Sequence, residues 1–383
     1  MELIKTNKEL EEACKKLNKA KFITIDTEFI REKTYWSQLC LIQVCSGESE
    51  FIIDPLEEDI DLKPFIKILN KKSILKVFHS GRQDIEIFFK ISGKIPSPIF
   101  DTQIAAMVCG FGDSVGYEKL VDKLLRKKID KSSRFSNWAK RPLTNKQLNY
   151  AIGDVTHLFE IYPILNDALK EKKRTRWLDE ELKILTSENT YNTDPELAYK
   201  RLKIRGYDLK TRGVTFQLAK WREERAQNNN LPRGRVIRDD IIYELSSMKP
   251  KSINEIMGLR SFSNGLRLKE NVINEIQEQI LIGLSLKEEN LPKLPEKRKL
   301  PHGTNSRVSL LKILLNSISE ENEVAQKLIA STQDLEDLIA DDSADIKTLK
   351  GWRYDLFGKK ALDFKNGKVA ITMEENNVIL KYI

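Results

Sequence analysis

Histidine and cysteine are scarce in this 383-residue chain, which has three of the former and four of the latter. Cys14, Cys40, Cys45 and Cys109 include no C-x-x-C pair. A zinc site has little material, and four reduced thiols in or near a core are expected instead. No apolar run reaches the ~18 residues that a membrane-spanning helix needs. The opening segment "MELIKTNKELEEACKK" is charged throughout, reads as an amphipathic helix rather than a signal peptide, and fits a cytoplasmic chain without membrane association. Charge of one sign is in modest excess: 65 Lys and Arg against 57 Asp and Glu give +8, which leans toward a polyanionic partner.

At this length two or three domains are expected. Strand-like runs lie at Lys21–Asp26, Leu39–Ser46, Phe51–Asp54, Ile74–His79 and Pro98–Phe100, and the turn residues in "VCSGESEF" pair the second and third as a hairpin. Helical patterns fall at Leu62–Leu69, Gln83–Ile91, Thr102–Cys109, Tyr117–Leu125 and Asn145–Leu169. Together they predict an α/β domain with a mixed sheet. Beyond about residue 175 strand signals stop. "FQLAKWREERAQ" and "DDIIYELSSM" read as helices around the loop "LPRGRVIRDD". "LKEENLPKLPEKRKLP" reads as a linker, and a second helical region of similar size follows it.

Three acidic sites stand in apolar surroundings. In "KFITIDTEF" a strand would put Phe22, Thr24, Asp26 and Glu28 on one face, with two carboxylates aimed the same way. In "VFHSGRQDIEIFF" a strand ends at His79, Ser80 and Gln83 suggest a capping box, and Asp84 falls in the first helical turn. In "RPLTNKQLNYAIGDVTHLFEIY" Thr144 and Gln147 suggest another capping box. That phase buries Ala151, Val155, Leu158 and Tyr162, with Tyr150 and Asp154 flanking the stripe one turn apart. Singly, each site has an ordinary reading: a solvated strand edge, an acid favouring a helix N-terminus, a half-buried aromatic. Together, four convergent carboxylates would repel strongly unless divalent cations sat between them, and hard oxygen donors favour Mg²⁺ or Mn²⁺. Two such ions are the usual clamp for attack at a phosphodiester.

The three motifs resemble those of the DEDD superfamily of 3′→5′ exonucleases, in the branch with a tyrosine four residues before the last Asp. The block "SRFSNWAKRPLTNKQLNYAIGDVTHL", with "IFDTQIAA" upstream, is similar to the ribonuclease D family over about residues 5 to 170. "LAKWREERAQNNNLPRGRVIRDD" resembles the first HRDC domain of that family and "LKGWRYDLFGKKALDF" a divergent second one. Asn137 and Tyr199 depart from its usual Asp and Trp.

The resemblance implies a ribonuclease H-like (DnaQ-like) α/β exonuclease domain over 1–175 and a helical connector over 176–206. An all-α HRDC domain over 207–286, a linker over 287–303 and a second HRDC-like domain over 304–383 would follow. It implies Asp26, Glu28, Asp84 and Asp154 as ligands of two divalent ions, Mg²⁺ or Mn²⁺, with Tyr150 orienting the attacking water. The activity implied is hydrolysis of RNA from its 3′ end to 5′-mononucleotides by a monomer. The implied substrates are tRNA precursors with single-stranded 3′ tails. Arg82 and Gln83, beside Asp84, could face substrate phosphate or simply cap the helix. Lys210, Arg212, Lys220, Arg222 and Arg225 could hold the RNA body, or form an ordinary solvated helix face. Asp101 reads as the cap of the helix after it, Trp221 as core, and His79 and His157 as structural. A DNA exonuclease with the same chemistry is the alternative, and a non-catalytic RNA-binding scaffold a third reading.

Overall fold

The structure, a computed structural model, describes residues 1–130, 132–204, 208–263, 267–293, 300–375 and 377–383. Part of the linker predicted over 287–303, and the predicted domain start at 207, lie outside them. Contacts divide the chain into two compact units. One joins Met1–Glu28 and Cys40–Thr190 to Glu296–Ile383, and the other joins Phe29–Leu39 to Tyr191–Pro295. Among the described residues no helix is long and apolar enough to cross a membrane.

The first unit is built on a six-stranded sheet. Its elements run β1 (Glu2–Ile4), α1 (Asn7–Leu17), β2 (Phe22–Ile30), β3 (Gln38–Cys45), β4 (Glu50–Ile53), α2 (Lys63–Leu69), β5 (Leu75–Phe78), α3 (Arg82–Ser92), β6 (Ile99–Asp101), α4 (Thr102–Val108), α5 (Tyr117–Leu125), α6 (Asn145–Glu171) and α7 (Thr175–Leu185). The strand order is β1-β4-β3-β2-β5-β6. β3 and β4 form the expected antiparallel hairpin, while β2·β5, β5·β6 and β1·β4 are parallel, so the sheet is mixed. β1 stands where the sequence predicts only a helix. Three residues are too few for an alternation to register, and Glu2–Ile4 become a strand only by pairing with Phe51–Ile53.

β2 lies inside the sheet because its β-branched residues fill both faces: Ile23 and Ile25 are buried on one, Thr24 on the other. The second face packs against α6. Phe22 stacks on Phe159 with centroids 4.4 Å apart, and the Thr24 hydroxyl donates to the Val155 carbonyl at 2.7 Å. The Thr144–Gln147 capping box opens α6 as predicted, a feature worth ~1 kcal/mol. Ahead of it the Arg141 guanidinium grips both Asp54 oxygens, at 2.5 and 2.6 Å, and the Cys40 carbonyl at 2.8 Å. Helix phase and register are thereby tied to β3 and to the end of β4. The buried stripe of α6 runs through Ala151, Val155, Leu158 and Ile161, so Ile161 takes the place expected for Tyr162, which is half-buried beside Phe22 and Phe100.

The second unit contains α8 (Leu209–Asn228), α9 (Arg233–Val236), α10 (Asp239–Met248), α11 (Ile253–Met257), α12 (Arg260–Ser263) and α13 (Glu270–Ser285). α8 and α13 approach closely through two glycines: a Cβ on Gly213 would sit 2.2 Å from the Gly283 carbonyl oxygen. Trp221 is buried in this core, its indole N–H donating to Glu275 at 2.8 Å. Glu223 is 1% exposed and is met by Arg233 at 2.5 Å, by the Tyr35 hydroxyl and by Arg201 at 3.5 Å.

The remaining elements are α14 (Thr304–Glu321), α15 (Gln326–Ile329), α16 (Thr332–Ala340), α17 (Gly351–Arg353), α18 (Lys359–Lys365), β7 (Val369–Glu374) and β8 (Asn377–Tyr382). They pack into the first unit. Trp352 stacks on Trp177 of α7 with centroids 4.2 Å apart, Arg353 pairs with Glu181, and the Ala325 amide donates to the Met107 carbonyl at 2.9 Å. The antiparallel hairpin β7–β8 corrects the expectation that strands cease after residue 175. In "VAITMEENNVILKY" the first strand alternates but "VIL" in the second is a continuous apolar run, so the pattern is weak.

Candidate active site

Strand β2 delivers Asp26 and Glu28 from the face that carries Phe22 and Thr24, and α6 delivers Asp154 from the opposite wall. One carboxylate oxygen from each of the three can be chosen so that all lie within 4.8 Å of one another. The separation is fixed by side chain-to-backbone bonds next to the acids. Thr24 bonds the carbonyl of Val155, one residue beyond Asp154. Tyr117 Oη donates to the carbonyls of Asp154 at 2.5 Å and Gly153 at 3.3 Å.

Asp84, in the first turn of α3, stands outside that trio, its Oδ1 accepting from the Thr27 hydroxyl between Asp26 and Glu28. Its charge still acts on Asp26 more strongly than that of Asp154 or Glu28. The capping box expected at Ser80 and Gln83 does not form. Gly81 is the cap residue and makes no side-chain bond, while Ser80 takes a left-handed φ of 57°. Asp101 does the work of both caps. Its carboxylate accepts from Gln103 and Ile104 at the start of α4, as predicted, and also from the Ser80 amide at 3.2 Å and the Gly81 amide at 2.8 Å ahead of α3. The turn that aims Asp84 thus rests on Asp101. Gly81 has no substitute there, because a Cβ would lie 2.5 Å from that of Phe78.

Burial dominates the electrostatics. It raises the Asp26 pKa well above the carboxylate range, with Asp84, Asp154 and Glu28 adding to it. Glu28 is pushed to about 9 by burial and by Asp154 and Asp84. Asp154 is raised by burial to about 7, against the pull of Tyr150 and Arg134, and Asp84 to about 6, against the Thr27 hydrogen bond. Burial and the same acids push the Tyr150 phenol further up, so it stays protonated at neutral pH. A cluster of acids that resist ionisation where the protein supplies no ion pair suits a hard divalent cation.

A cavity of about 490 Å³ opens on the cluster. It is lined by Asp26, Tyr150 and Asp154 on one side and by His79, Gln103 and Tyr117 on another, with Arg134 at the rim. His79, expected to be structural, lines this cavity, with Nδ1 on Thr102 at 3.0 Å and Nε2 facing no partner among the described residues. Tyr117 and Arg134 were missed as well. "GYEKL" carries no motif, and only the fold brings it under α6.

The remaining candidates lie elsewhere. Arg82 and Gln83 are exposed beside Asp84, and Arg82 donates to the Thr190 carbonyl at 3.4 Å. In the second unit Arg222 is buried on Asp239 at 2.6 Å and the Ile237 carbonyl, Lys220 pairs with Glu196, and Arg225 with Glu275. Lys210 donates to the Leu284 carbonyl, and Arg212 lies 3.7 Å from Glu288. These cations hold the helices together. Arg235, Arg238, Arg260 and Arg267 line one groove with Asp240 and Glu244, Arg238 pairing with Asp240 at 3.1 Å.

Comparison with known proteins places the chain in a family. A 3′-5′ exonuclease family model matches residues 1–170, and the HRDC domain model matches 212–269. Ribonuclease D of Nitrobacter hamburgensis is 43% identical over 379 residues, 99% of each chain. Ribonuclease D of Jannaschia sp. is 42% identical over 98% of each. The crystal structure of Escherichia coli RNase D, described as an exoribonuclease involved in structured RNA processing, superposes with a TM-score of 0.80 at 26% identity. That superposition covers 96% of this chain and 98% of the other. The chain belongs to the ribonuclease D family and is a 3′→5′ exonuclease.

Proposed function

We propose that this exoribonuclease trims single-stranded 3′ tails of structured RNA, tRNA precursors among them, releasing 5′-mononucleotides. What carries the reading is the trio of half-buried carboxylates with Tyr150 beside them. Asp26, Glu28 and Asp154, with Asp84 behind Thr27, would hold two divalent cations, Mg²⁺ or Mn²⁺. Bound there, the cations supply neutralising charge and lower the pKa of water. Tyr150, protonated, holds the attacking water by a hydrogen bond rather than taking its proton. The water oxygen bonds to phosphorus, the P–O3′ bond breaks, and the 3′-oxygen of the preceding nucleotide leaves as a hydroxyl by taking a proton from solvent. The water's proton passes to solvent. One chain carries all of these groups, and the monomer is taken as the acting species. The arginine groove of the second unit is the surface we assign to the RNA body, in place of the cations already paired along α8.

Matched 3′-tailed RNA and DNA, incubated with Mg²⁺, Mn²⁺ or EDTA, test this. RNA should be shortened from the 3′ end only with metal, and Asp26→Asn/Asp154→Asn should lose at least ~10³-fold, more than one oxyanion donor is worth. Degradation in EDTA would sink the metal reading. DNA trimmed faster than RNA would turn the enzyme into a DNA exonuclease.

A further inference from the structure

At the rim of the catalytic cavity, Ser133 to Ser136 form a turn closed by the Ser136 amide on the Ser133 carbonyl at 3.0 Å. Ser133 and Trp138 on either side are buried, at 4% and 3% exposure, so the turn is anchored. Its two central residues are Arg134 and Phe135. The Arg134 guanidinium lines the cavity with Asp26, Tyr150 and Asp154. Its charge is felt at Glu28, Tyr150 and Asp154. Yet among the described residues no carboxylate lies within ion-pair distance of it, and its planar face rests 5.4 Å from the Phe135 centroid. Phe135 is 91% exposed, more than any other large apolar side chain among the described residues.

Neither residue contributes to the fold in this position. An exposed phenyl gains nothing from burial, and a guanidinium near carboxylates normally pairs with them. The two chemistries match a nucleic-acid strand instead. A guanidinium takes two phosphate oxygens at once, and a free aromatic face stacks on any base. With the terminal nucleoside inside the cavity, the phosphate to be cut lies beside the acids, next to Arg134. The ring, pointing outward, then meets the base before it.

We propose that Arg134 and Phe135 form a substrate clamp: Arg134 binds the non-bridging oxygens of the scissile phosphate, and Phe135 stacks on the penultimate base. The proposal rests on the hydrolytic site described above. It gives a cavity walled by negative charge the means to draw in a polyanion. It also makes the grip on the tail independent of sequence.

The test uses the full chain and a 5′-fluorescein single-stranded RNA, intact or abasic at the penultimate nucleotide, with kinetics at saturating Mg²⁺. Binding is read by anisotropy in the Asp26→Asn background. Arg134→Ala should lower kcat/KM ~100-fold, with partial recovery in Arg134→Lys. Phe135→Ala should raise KM and Kd ~10-fold on intact RNA with kcat unchanged, Phe135→Trp should restore both, and the abasic RNA should bind Phe135→Ala and wild type alike. If Arg134→Ala changes only the Mg²⁺ concentration needed, Arg134 is a counter-charge for the acids and the clamp is overturned. Equal loss in Phe135→Ala on intact and abasic RNA overturns the stacking. A wild-type chain that trims nothing would sink the hydrolytic reading itself, whereas an active wild type with unaffected variants removes the clamp alone.

Discussion

Glu223 of the second unit and the acid cluster of the first are both withdrawn from water, and the protein treats them in opposite ways. Glu223 in the second unit is 1% exposed, yet its pKa lies below the ordinary value. Burial pushes it up, but the Arg233 and Tyr35 hydrogen bonds and the charges of Arg233 and Arg201 outweigh that. In the first unit Asp26, Glu28 and Asp154 are half-buried, and burial and neighbouring acids outweigh the distant Arg134 charge, so their values are raised. The fold completes one buried acid from its own side chains and leaves the others to be completed from outside. That contrast separates a structural carboxylate from a functional one more sharply than burial or sequence context alone.

The largest effect on folding should come from Glu223→Ala. It removes the carboxylate that Arg233, Arg201 and Tyr35 share, and should destabilise by about 3 kcal/mol in urea unfolding. Asp26→Asn should do the reverse, raising the melting temperature of metal-free protein while abolishing activity. A loss of stability in Asp26→Asn would mean that the acids are satisfied internally after all.

The pH dependence should split in the same way. Glu223, with a depressed pKa, stabilises above the unfolded value near ~4.3, and that contribution disappears on acidification. The active-site acids have raised values, so the native state keeps protons that the unfolded chain has released. Metal-free protein should therefore lose stability as pH climbs from about 5 through the Asp84, Asp154 and Glu28 values of about 6, 7 and 9. Millimolar Mg²⁺ should raise the melting temperature more at pH 8 than at pH 6, since binding must displace fewer protons there. A flat melting profile without metal would break the comparison.

The smallest effect belongs to Lys220→Ala. It removes a partly exposed pair with Glu196 and should cost less than ~1 kcal/mol. RNA affinity should be unchanged, while Arg235→Ala and Arg260→Ala should weaken binding of a structured RNA and flatten its salt dependence.

The carboxylates of the candidate site were readable in the sequence because each sits in a local pattern: a strand alternation, a strand end and a capped helix. Thr144 with Gln147 set the phase of α6, and with it the position of Asp154 beside Tyr150. What was not readable is tertiary. Thr27 holding Asp84, Tyr117 bonding the Asp154 carbonyl, and Asp101 reaching Ser80 and Gly81 all join residues distant in the chain. None has a spacing that a linear pattern can register. The paired cations of α8 fail for the same reason: a charge on a helix face looks free until its neighbour is known.

The pairing of Trp177 with Trp352, and of Glu181 with Arg353, has a consequence in time. Synthesis runs from the N-terminus, so the sheet and its acids emerge long before α17 does. Until then one face of α7 has no partner, and a large aromatic surface stays open to water or to chaperones. The first unit completes its packing on α7 only once Trp352 and Arg353 have been made. A chain truncated ahead of Trp352 would therefore be recognisable to quality control as unfinished.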